Sequence, residues 1–259
     1  MPYGVRSVGS LGINAITWLG GIGIMFGRFL LSLKDIAKSG RLIIEQCYTL
    51  GVRSLPLVIV ISIFTGAVAA WQAAYQFQFI QVPPKFLGYG VGKAVVMELG
   101  PVLSALVIAG RVGAGITAEL GTMKVTEQID ALTSMGINPV RYLVMPRLLA
   151  CLIMVPLLVV FADTIAILGG LVVTVIGVGV SAETFLNGFH ESFRMFDFVA
   201  GLIKATVFGL IIGLIGCYEG FNATQGAEGV GLATTVSVVL SCVMILVFNF
   251  IFAILLFRI

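Results

Sequence analysis

The stretch Glu98–Arg147 decides the fold of this chain, because it passes from an apolar run into a polar one and back. It opens with Glu98-Leu-Gly-Pro-Val-Leu-Ser-Ala-Leu-Val-Ile-Ala-Gly-Arg111, a run that suits a lipid-embedded helix. It continues as Ala118-Glu-Leu-Gly-Thr-Met-Lys-Val-Thr-Glu-Gln-Ile-Asp-Ala-Leu132 and returns through Gly136-Ile-Asn-Pro-Val-Arg-Tyr-Leu-Val-Met-Pro-Arg147. A patterned helix between two membrane spans can dock in a groove of a partner and transmit its motion. The stretch therefore predicts a membrane protein that receives force from a soluble motor.

The composition supports an integral membrane protein. Of the 259 residues, 59% are hydrophobic and only 10% are charged, and the mean hydropathy is +1.12. A soluble domain of this size could not bury so much apolar surface. The 32 glycines suit helices that approach closely in lipid. The opening residues MPYGVRSVGS lack the apolar core and cleavage site of a signal peptide, so we expect the first helix to be retained.

Five membrane spans are predicted in an all-α fold. A span needs about 20 apolar residues, and four runs meet this length at 54–76, 91–112, 198–218 and 233–257. The run 144–178 is too long for one straight crossing. It is either one tilted helix, broken near Gly169-Gly170, or a tight hairpin, and we favour one crossing.

The distribution of basic residues favours a cytoplasmic N-terminus, because cytoplasmic loops carry an excess of Lys and Arg. With five spans, ten of the 15 basic residues fall on the inner side, against four on the outer side; Lys204 lies within a span. The inner set is Arg6, Arg28, Lys34, Lys38, Arg41, Arg53, Arg111, Lys124, Arg141 and Arg147, and the outer set is Lys85, Lys93, Arg194 and Arg258. A hairpin at 144–178 is not excluded by this count alone.

Residues 1–53 are expected to form a unit separate from the transmembrane domain at 54–259. Apolar residues recur at helical spacing from Leu11 to Leu33, with Arg28 and Lys34 nearby. This pattern is typical of an amphipathic helix lying in the cytoplasmic interface. A sixth span over 11–33 is the alternative, which the many glycines disfavour. Residues 41–53 would form an elbow into the first span.

Three ionisable residues lie inside apolar runs, namely Glu98, Asp163 and Lys204. Such residues are costly in lipid, so each is a functional candidate or has a partner. At helical rise all three fall in the outer half of the membrane. They could line a polar chamber in which Lys204 meets an anionic headgroup, or Glu98 and Lys204 could simply pair between helices. Asp163 is interpreted as a structural or interfacial residue.

Enzyme chemistry and metal binding are not expected in this chain. The four cysteines are scattered, and His190 is the sole histidine, so neither a metal site nor a catalytic set is predicted. The segment Gly88-Tyr-Gly-Val-Gly-Lys93-Ala94 lacks the glycine spacing and the hydroxyl of a nucleotide-binding loop. Any ATPase must therefore be another subunit. An ion-coupled secondary transporter or channel is the alternative function, and it would show inverted repeats and discontinuous spans.

The polar segment at 118–135 is predicted to be one cytoplasmic helix. Charged residues including Glu119, Lys124 and Glu127 are interleaved with apolar ones. This pattern fits an ordinary surface helix or a coupling helix that docks on a partner. Gly136 and Asn138-Pro139 should end the helix and turn the chain back.

The sequence resembles the MlaE permease family, the membrane subunits of ABC transporters that move lipids with MCE proteins. The most specific match is E-L-G-P-V-L-x-A-L-x-x-A-G-R-x-G-A-x-x-x-A-E-L-G-T-M-x-V-T-E-Q-I-D-A-L, from Glu98 to Leu132. A second match is Phe64-Thr-Gly66-Ala-Val68, followed by Gln72. The resemblance covers nearly the whole chain.

The resemblance implies a multi-pass homodimer in the bacterial inner membrane. Each copy would contact a cytoplasmic ABC ATPase through the 118–135 helix, and an MCE-domain protein would lie on the periplasmic face. The substrate would be a phospholipid moved between the inner membrane and the outer envelope, with a part in outer-membrane lipid asymmetry. ATP and Mg would be bound by the ATPase, and neither a cofactor of this chain nor a nucleic-acid partner is expected.

The resemblance also assigns candidate site residues. In the family a lipid pocket lies at the dimer interface between the first, second and fifth spans. The corresponding candidates for lipid binding here are Val68, Gln72, Tyr75 and Phe79, with Glu98 and Lys204 nearby. Those for coupling to the ATPase are Glu119, Thr122, Lys124, Glu127, Gln128 and Asp130. Many members carry Arg before the glutamate of E-L-G-P, where this chain has Met97.

Overall fold

The computed structural model describes residues 2–80, 82–224 and 226–256, which form helices joined by short turns and contain no strand. Five of its helices are long and apolar enough to cross a membrane. The prediction of an all-α protein with five spans is therefore confirmed. The predicted span end at 257 and Arg258 lie outside the described residues, as do the side chains of Arg6, Leu11 and Lys38. The helices are α1 (Pro2–Ser32), α2 (Gly40–Phe79), α3 (Lys85–Val125), α4 (Gln128–Ser134), α5 (Val140–Val178), α6 (Ala182–Ser192), α7 (Met195–Phe221) and α8 (Ala227–Leu256).

The long run at 144–178 is a single helix, so the hairpin alternative is wrong. Helix α5 continues through Gly169-Gly170 without a break. The two glycines instead allow α5 to lie close to α2, since a methyl group on Gly169 would come 2.5 Å from the carbonyl oxygen of Ile63. Gly66 is the counterpart on α2, where an added methyl group would meet the carbonyl oxygen of Ala166. Small residues thus bring the two backbones together, as is common in lipid.

The five long helices alternate in direction between two ends of a bundle. Helix α4 joins α3 to α5 at one end, here named the α4 end, and α6 joins α5 to α7 at the other, the α6 end. Helices α2 and α8 also begin at the α4 end. Their first turns lie beside Tyr142 of α5 and Thr122 of α3 respectively.

Helix α1 packs against the α4 end of α7. The indole N–H of Trp18 donates a hydrogen bond of 2.6 Å to Glu219 Oε1. The edge of the Trp18 ring also faces Tyr218, with 6.2 Å between the ring centroids. Whether α1 lies in a membrane interface stays a prediction.

The predicted elbow at 41–53 is helical and continuous with α2. A wide turn at Cys47–Gly51 is followed by a tight turn at Val52–Ser54, before regular α-helix resumes at Leu55. Irregular turns of this kind bend a helix. The elbow is therefore a distorted first part of α2.

Helix α4 ends where the sequence predicts. Gly136 has a φ of +74°, a conformation that glycine adopts without strain. Its N–H donates to the carbonyl of Thr133, and the N–H of Ile137 donates to that of Leu132, each at 3.0 Å. These two bonds form a Schellman motif, which satisfies carbonyl groups at a helix end. The polar segment is thereby closed before α5 begins.

Candidate functional site

An apolar groove runs along one face of α2. Its volume is about 540 Å³, and one side is open. Along α2 the residues Val60, Phe64 and Val68 lie four positions apart, so their side chains form one stripe. Leu99 and Leu103 of α3 supply the opposite wall. The full lining is Val60, Ile61, Phe64, Thr65, Val68, Ala69, Gln72, Leu99 and Leu103.

The structure divides the α2 residues that were predicted to bind lipid. Val68 and Gln72 line the groove. Tyr75 lines a separate cavity of about 200 Å³ between α2 and the last turns of α5, together with Trp71 and Gly177. Phe79 stands beside Tyr75, with 5.2 Å between the ring centroids. The roles of these four residues in lipid binding stay predictions; Tyr75 and Phe79 lie outside the groove lining.

A polar link joins α3, α7 and α8 within the apolar bundle. Lys204 Nζ lies 2.6 Å from Glu98 Oε1, and the side-chain amide of Asn249 donates a hydrogen bond of 2.9 Å to Glu98 Oε2. Lys204 is fully buried, whereas the Glu98 side chain is 39% exposed. A buried charge in lipid needs such partners. The expected pairing of Glu98 with Lys204 is found, and Lys204 does not reach a surface.

Pro101 explains why Lys204 has a second partner. Proline lacks an N–H group, so the carbonyl four residues earlier, that of Met97, has no ordinary helical donor. Lys204 Nζ donates a hydrogen bond of 3.2 Å to this carbonyl. Met97 thus contributes its backbone carbonyl to the polar link. Leu99, next to Glu98, lines the groove, so the polar link lies just behind the groove wall.

Asp163 is buried at the same level of the bundle as Glu98. It is 6% exposed, and its Oδ1 has no hydrogen-bond partner among the described residues. The carboxyl group lies against Gly100 of α3, where an added methyl group would collide with it. Asp163 therefore faces the interior between α5 and α3, and its interpretation as a structural or interfacial residue stays a prediction.

The predicted coupling helix at 118–135 is interrupted. Helix α3 extends to Val125, and α4 begins only at Gln128. Between them Glu127 adopts a φ of +60°, the left-handed region that non-glycine residues rarely occupy. The chain thus changes direction at Glu127. The first half of the segment belongs to a membrane helix, and the second half is a separate two-turn helix.

The six candidate coupling residues occupy five different settings. Glu119 forms an ion pair with Arg147 of α5, at 2.7 Å from Nη2 to Oε1. Lys124 pairs with Asp130 at 3.1 Å, which links the end of α3 to α4. Gln128 donates a hydrogen bond to the hydroxyl of Thr126. Thr122 lines a groove of about 280 Å³ beside the start of α8, and Glu127 is exposed.

Two residues of these networks were missed by the sequence analysis. Asn249 is the only amide in the apolar run of α8, and a polar residue in such a run often bonds across helices. Arg147 was counted as an inner-side charge, yet it is only 4% exposed. Its Nη1 donates a hydrogen bond of 2.8 Å to the carbonyl of Leu143. No signal in the sequence distinguishes this buried arginine from the exposed ones.

No cluster of metal-ligating side chains occurs among the described residues. The four cysteines are all free thiols. His190 is exposed on α6. The grooves and the polar link are therefore the features that remain as functional sites in the described part of the chain.

Comparison with known proteins shows the family to which the sequence is similar. The profile of the family described as Permease MlaE matches residues 43–255. A probable ABC transporter permease protein of Rickettsia typhi is 38% identical over 96% of this chain and 97% of its own length. A probable ABC transporter permease protein of Synechocystis is 38% identical over 90% of this chain and 88% of its own. One of Pyropia yezoensis is 34% identical over 90% of this chain and 89% of its own.

Proposed function

This chain belongs to the MlaE permease family, and we propose that it carries a phospholipid along the groove of α2 as the membrane subunit of an ABC transporter. A permease of this class works with a nucleotide-binding ATPase, which supplies the energy. The observation that carries the lipid proposal is the groove itself, with about 540 Å³ of apolar space open on one side. Acyl chains fit such a surface, since burying them removes apolar area from water.

The proposed orientation places the α4 end in the cytoplasm of a bacterial inner membrane, with the N-terminus on that side. The basic residues Lys34, Arg41, Lys124 and Arg141 gather at this end, as the positive-inside bias requires. The α6 end would then face the periplasm. There an MCE-domain protein would receive or deliver the lipid.

A second copy of this chain would close the groove. The α2 residues Val60, Phe64 and Val68 are more than half exposed. Exposed apolar side chains are ordinary toward lipid, but the groove between α2 and α3 gives two copies a cavity to enclose. A homodimer arranged with α2 at its centre would make one chamber from two grooves.

Helix α4 would receive the motion of the ATPase. Its Gln128 and Asp130 are exposed, and Met135 beside it is 66% exposed. The Glu119–Arg147 ion pair would pass movement of this end to α5, and the α2–α5 contact would pass it to the groove. ATP binding would then favour a narrowed chamber, because a ligand shifts a protein toward the state it binds better.

Mass spectrometry of lipid retained by the purified complex tests the groove. Val68→Trp would fill the groove and should reduce the amount of phospholipid that co-purifies. Val172→Trp is the matched control, because Val172 is similarly exposed, 54% against 62%, but lies outside the lining. Equal phospholipid in both variants would contradict the proposed path.

Site-specific cross-linking tests the coupling surface. A photo-reactive residue at Asp130 should capture the ATPase subunit in cells, whereas one at Glu183 on α6 should not. Capture of the ATPase from Glu183 alone would reverse the proposed orientation.

A further inference from the structure

A second cavity lies at the α4 end, between the start of α2 and the start of α5. Its volume is about 400 Å³. Ser39 and Leu42 form one wall, and the segment that joins α4 to α5 forms the other. The described lining is Ser39, Leu42, Gly136, Ile137, Asn138, Arg141 and Tyr142, and none of these residues is acidic.

The polar groups around this cavity include several donors. Asn138 Oδ1 accepts from the backbone N–H of Val140 at 3.0 Å, which leaves its NH₂ group without a bond in the described structure. Ser39 is only 7% exposed, and its hydroxyl makes no hydrogen bond with a described residue. This hydroxyl lines the cavity and can donate to a molecule that enters it. Arg141 already has another interaction, but a guanidinium carries five N–H donors.

The electrostatic setting favours an anion. Arg141 contributes a positive charge, and both α2 and α5 begin at the cavity, so the positive ends of two helix dipoles point toward it. Leu42 and Ile137 add an apolar surface to the same cavity. A molecule with a negative headgroup and a hydrocarbon chain could contact both the positive part and the apolar part of the cavity.

We propose that this cavity binds the phosphate of a phospholipid from the leaflet at the α4 end. Arg141, Asn138 and Ser39 would donate to the phosphate oxygens, and Leu42 and Ile137 would contact the first acyl carbons. The site is separate from the α2 groove, because Leu42 and Val60 are roughly 25 Å apart along α2 at helical rise. It does not depend on the transport path proposed above.

Photo-cross-linking from the cavity tests this proposal. A photo-reactive residue replaces Ile137 in the complex, which is placed in nanodiscs of equal parts phosphatidylglycerol and monogalactosyldiacylglycerol. The galactolipid has similar acyl chains and no phosphate. We expect the phosphatidylglycerol adduct to exceed the galactolipid adduct by about tenfold, the effect of one bond to a charged group. Equal adducts would overturn the proposal.

Two variants test whether the preference for phosphatidylglycerol depends on this cavity. Arg141→Gln should bring the two adducts close to parity, whereas Lys34→Gln, which removes an exposed charge outside the cavity, should leave the preference unchanged. If Arg141→Gln does not fold, Ser39→Ala should still lower the phosphatidylglycerol adduct several-fold, because it removes only the buried hydroxyl. An unchanged preference in the folded variants would overturn the proposal.

Two further measurements test whether a soluble anion or a protein, and not a lipid, occupies the cavity. Millimolar inorganic phosphate should not suppress the lipid adduct, and full suppression would overturn the lipid source in favour of a soluble anion. Adducts to the ATPase in place of lipid would show that a protein covers the cavity, which would also overturn the proposal. The Val68→Trp variant should keep the preference, so failure of the groove proposal would be seen separately.

Discussion

Arg147 and Glu119 tie the first turns of α5 to the last turns of α3, with Nη2 and Oε1 2.7 Å apart. The pair brackets α4, since one partner precedes this helix and the other follows it. Arg147 is nearly fully buried, whereas the Glu119 side chain is 55% exposed. The charge that depends on the contact is therefore the arginine. Loss of Glu119 would leave a buried cation with only the Leu143 carbonyl as a described acceptor.

Glu119→Gln should lower the free energy of unfolding by about 1–2 kcal/mol, because the buried guanidinium loses its counter-charge while water partly compensates at the exposed carboxyl position. Thermal unfolding in detergent micelles measures the change. Glu127→Gln is the control, since Glu127 has no described ion pair and should change stability by less than about 0.5 kcal/mol. Equal losses in both variants would mean that the Arg147 contact does not stabilise the fold.

The link between Glu98 and Lys204 predicts a non-additive pair of mutations. Glu98→Gln should lower the free energy of unfolding by about 3 kcal/mol, because Lys204 stays charged and fully buried. Lys204→Met should lower the free energy of unfolding less than Glu98→Gln does, since Glu98 keeps its hydrogen bond from Asn249 and is partly exposed. The double variant should be more stable than Glu98→Gln alone. Thermal unfolding of the four proteins measures this cycle, and additive losses would contradict a direct coupling.

Gly66→Ala should reduce stability by about 2 kcal/mol or more, because the added methyl group meets the carbonyl oxygen of Ala166 and must push α2 away from α5. Gly115→Ala, in α3, is the matched control, because nothing lies within 4 Å of its added methyl group. It should be neutral or stabilising by up to about 1 kcal/mol, the difference in helix propensity. The yield of folded protein and its unfolding temperature distinguish the two. A harmless Gly66→Ala would show that the helices are not in close contact.

The left-handed backbone at Glu127 predicts a local preference for glycine. Glu127→Val should lower the free energy of unfolding by about 1–2 kcal/mol, because a branched side chain fits a φ of +60° poorly. Glu127→Gly should be neutral or slightly stabilising. Gln128→Val is the control, because Gln128 lies one residue later in an ordinary helix. It should lower the free energy of unfolding by no more than about 0.7 kcal/mol, the difference in helix propensity. Similar effects of valine at both positions would mean that α3 and α4 form one straight helix.

The membrane spans could be predicted from the sequence because their hydrophobicity adds up over about 20 residues. The run in α5 is apolar from Leu148 to Val178, and Asp163 is the one charged residue in it. The pairing of Glu98 with Lys204 was also within reach, since two opposite charges inside apolar runs have few alternatives in lipid. The end of α4 at Gly136 followed from the special backbone freedom of glycine. In each case a local or compositional rule sufficed.

The interruption at Glu127 and the burial of Arg147 could not be predicted in the same way. No glycine or proline stands at 126 or 127, so the sequence carries no local signal for this turn. Arg147 is buried because α3 and α7 pack around it, and a single sequence does not reveal those neighbours. The Ser39 cavity is likewise formed by segments about 100 residues apart. Such features arise from tertiary packing.

The placement of the two tryptophans makes the protein its own spectroscopic reporter. Trp18 is bonded to Glu219 at the α4 end, while Trp71 borders the small cavity near Gly177 on the opposite side of the bundle. Since the chain has only these two indoles, a single Trp→Phe substitution leaves emission from one end alone. Movements at the two ends during a nucleotide cycle could thus be followed by intrinsic fluorescence, without attaching a dye.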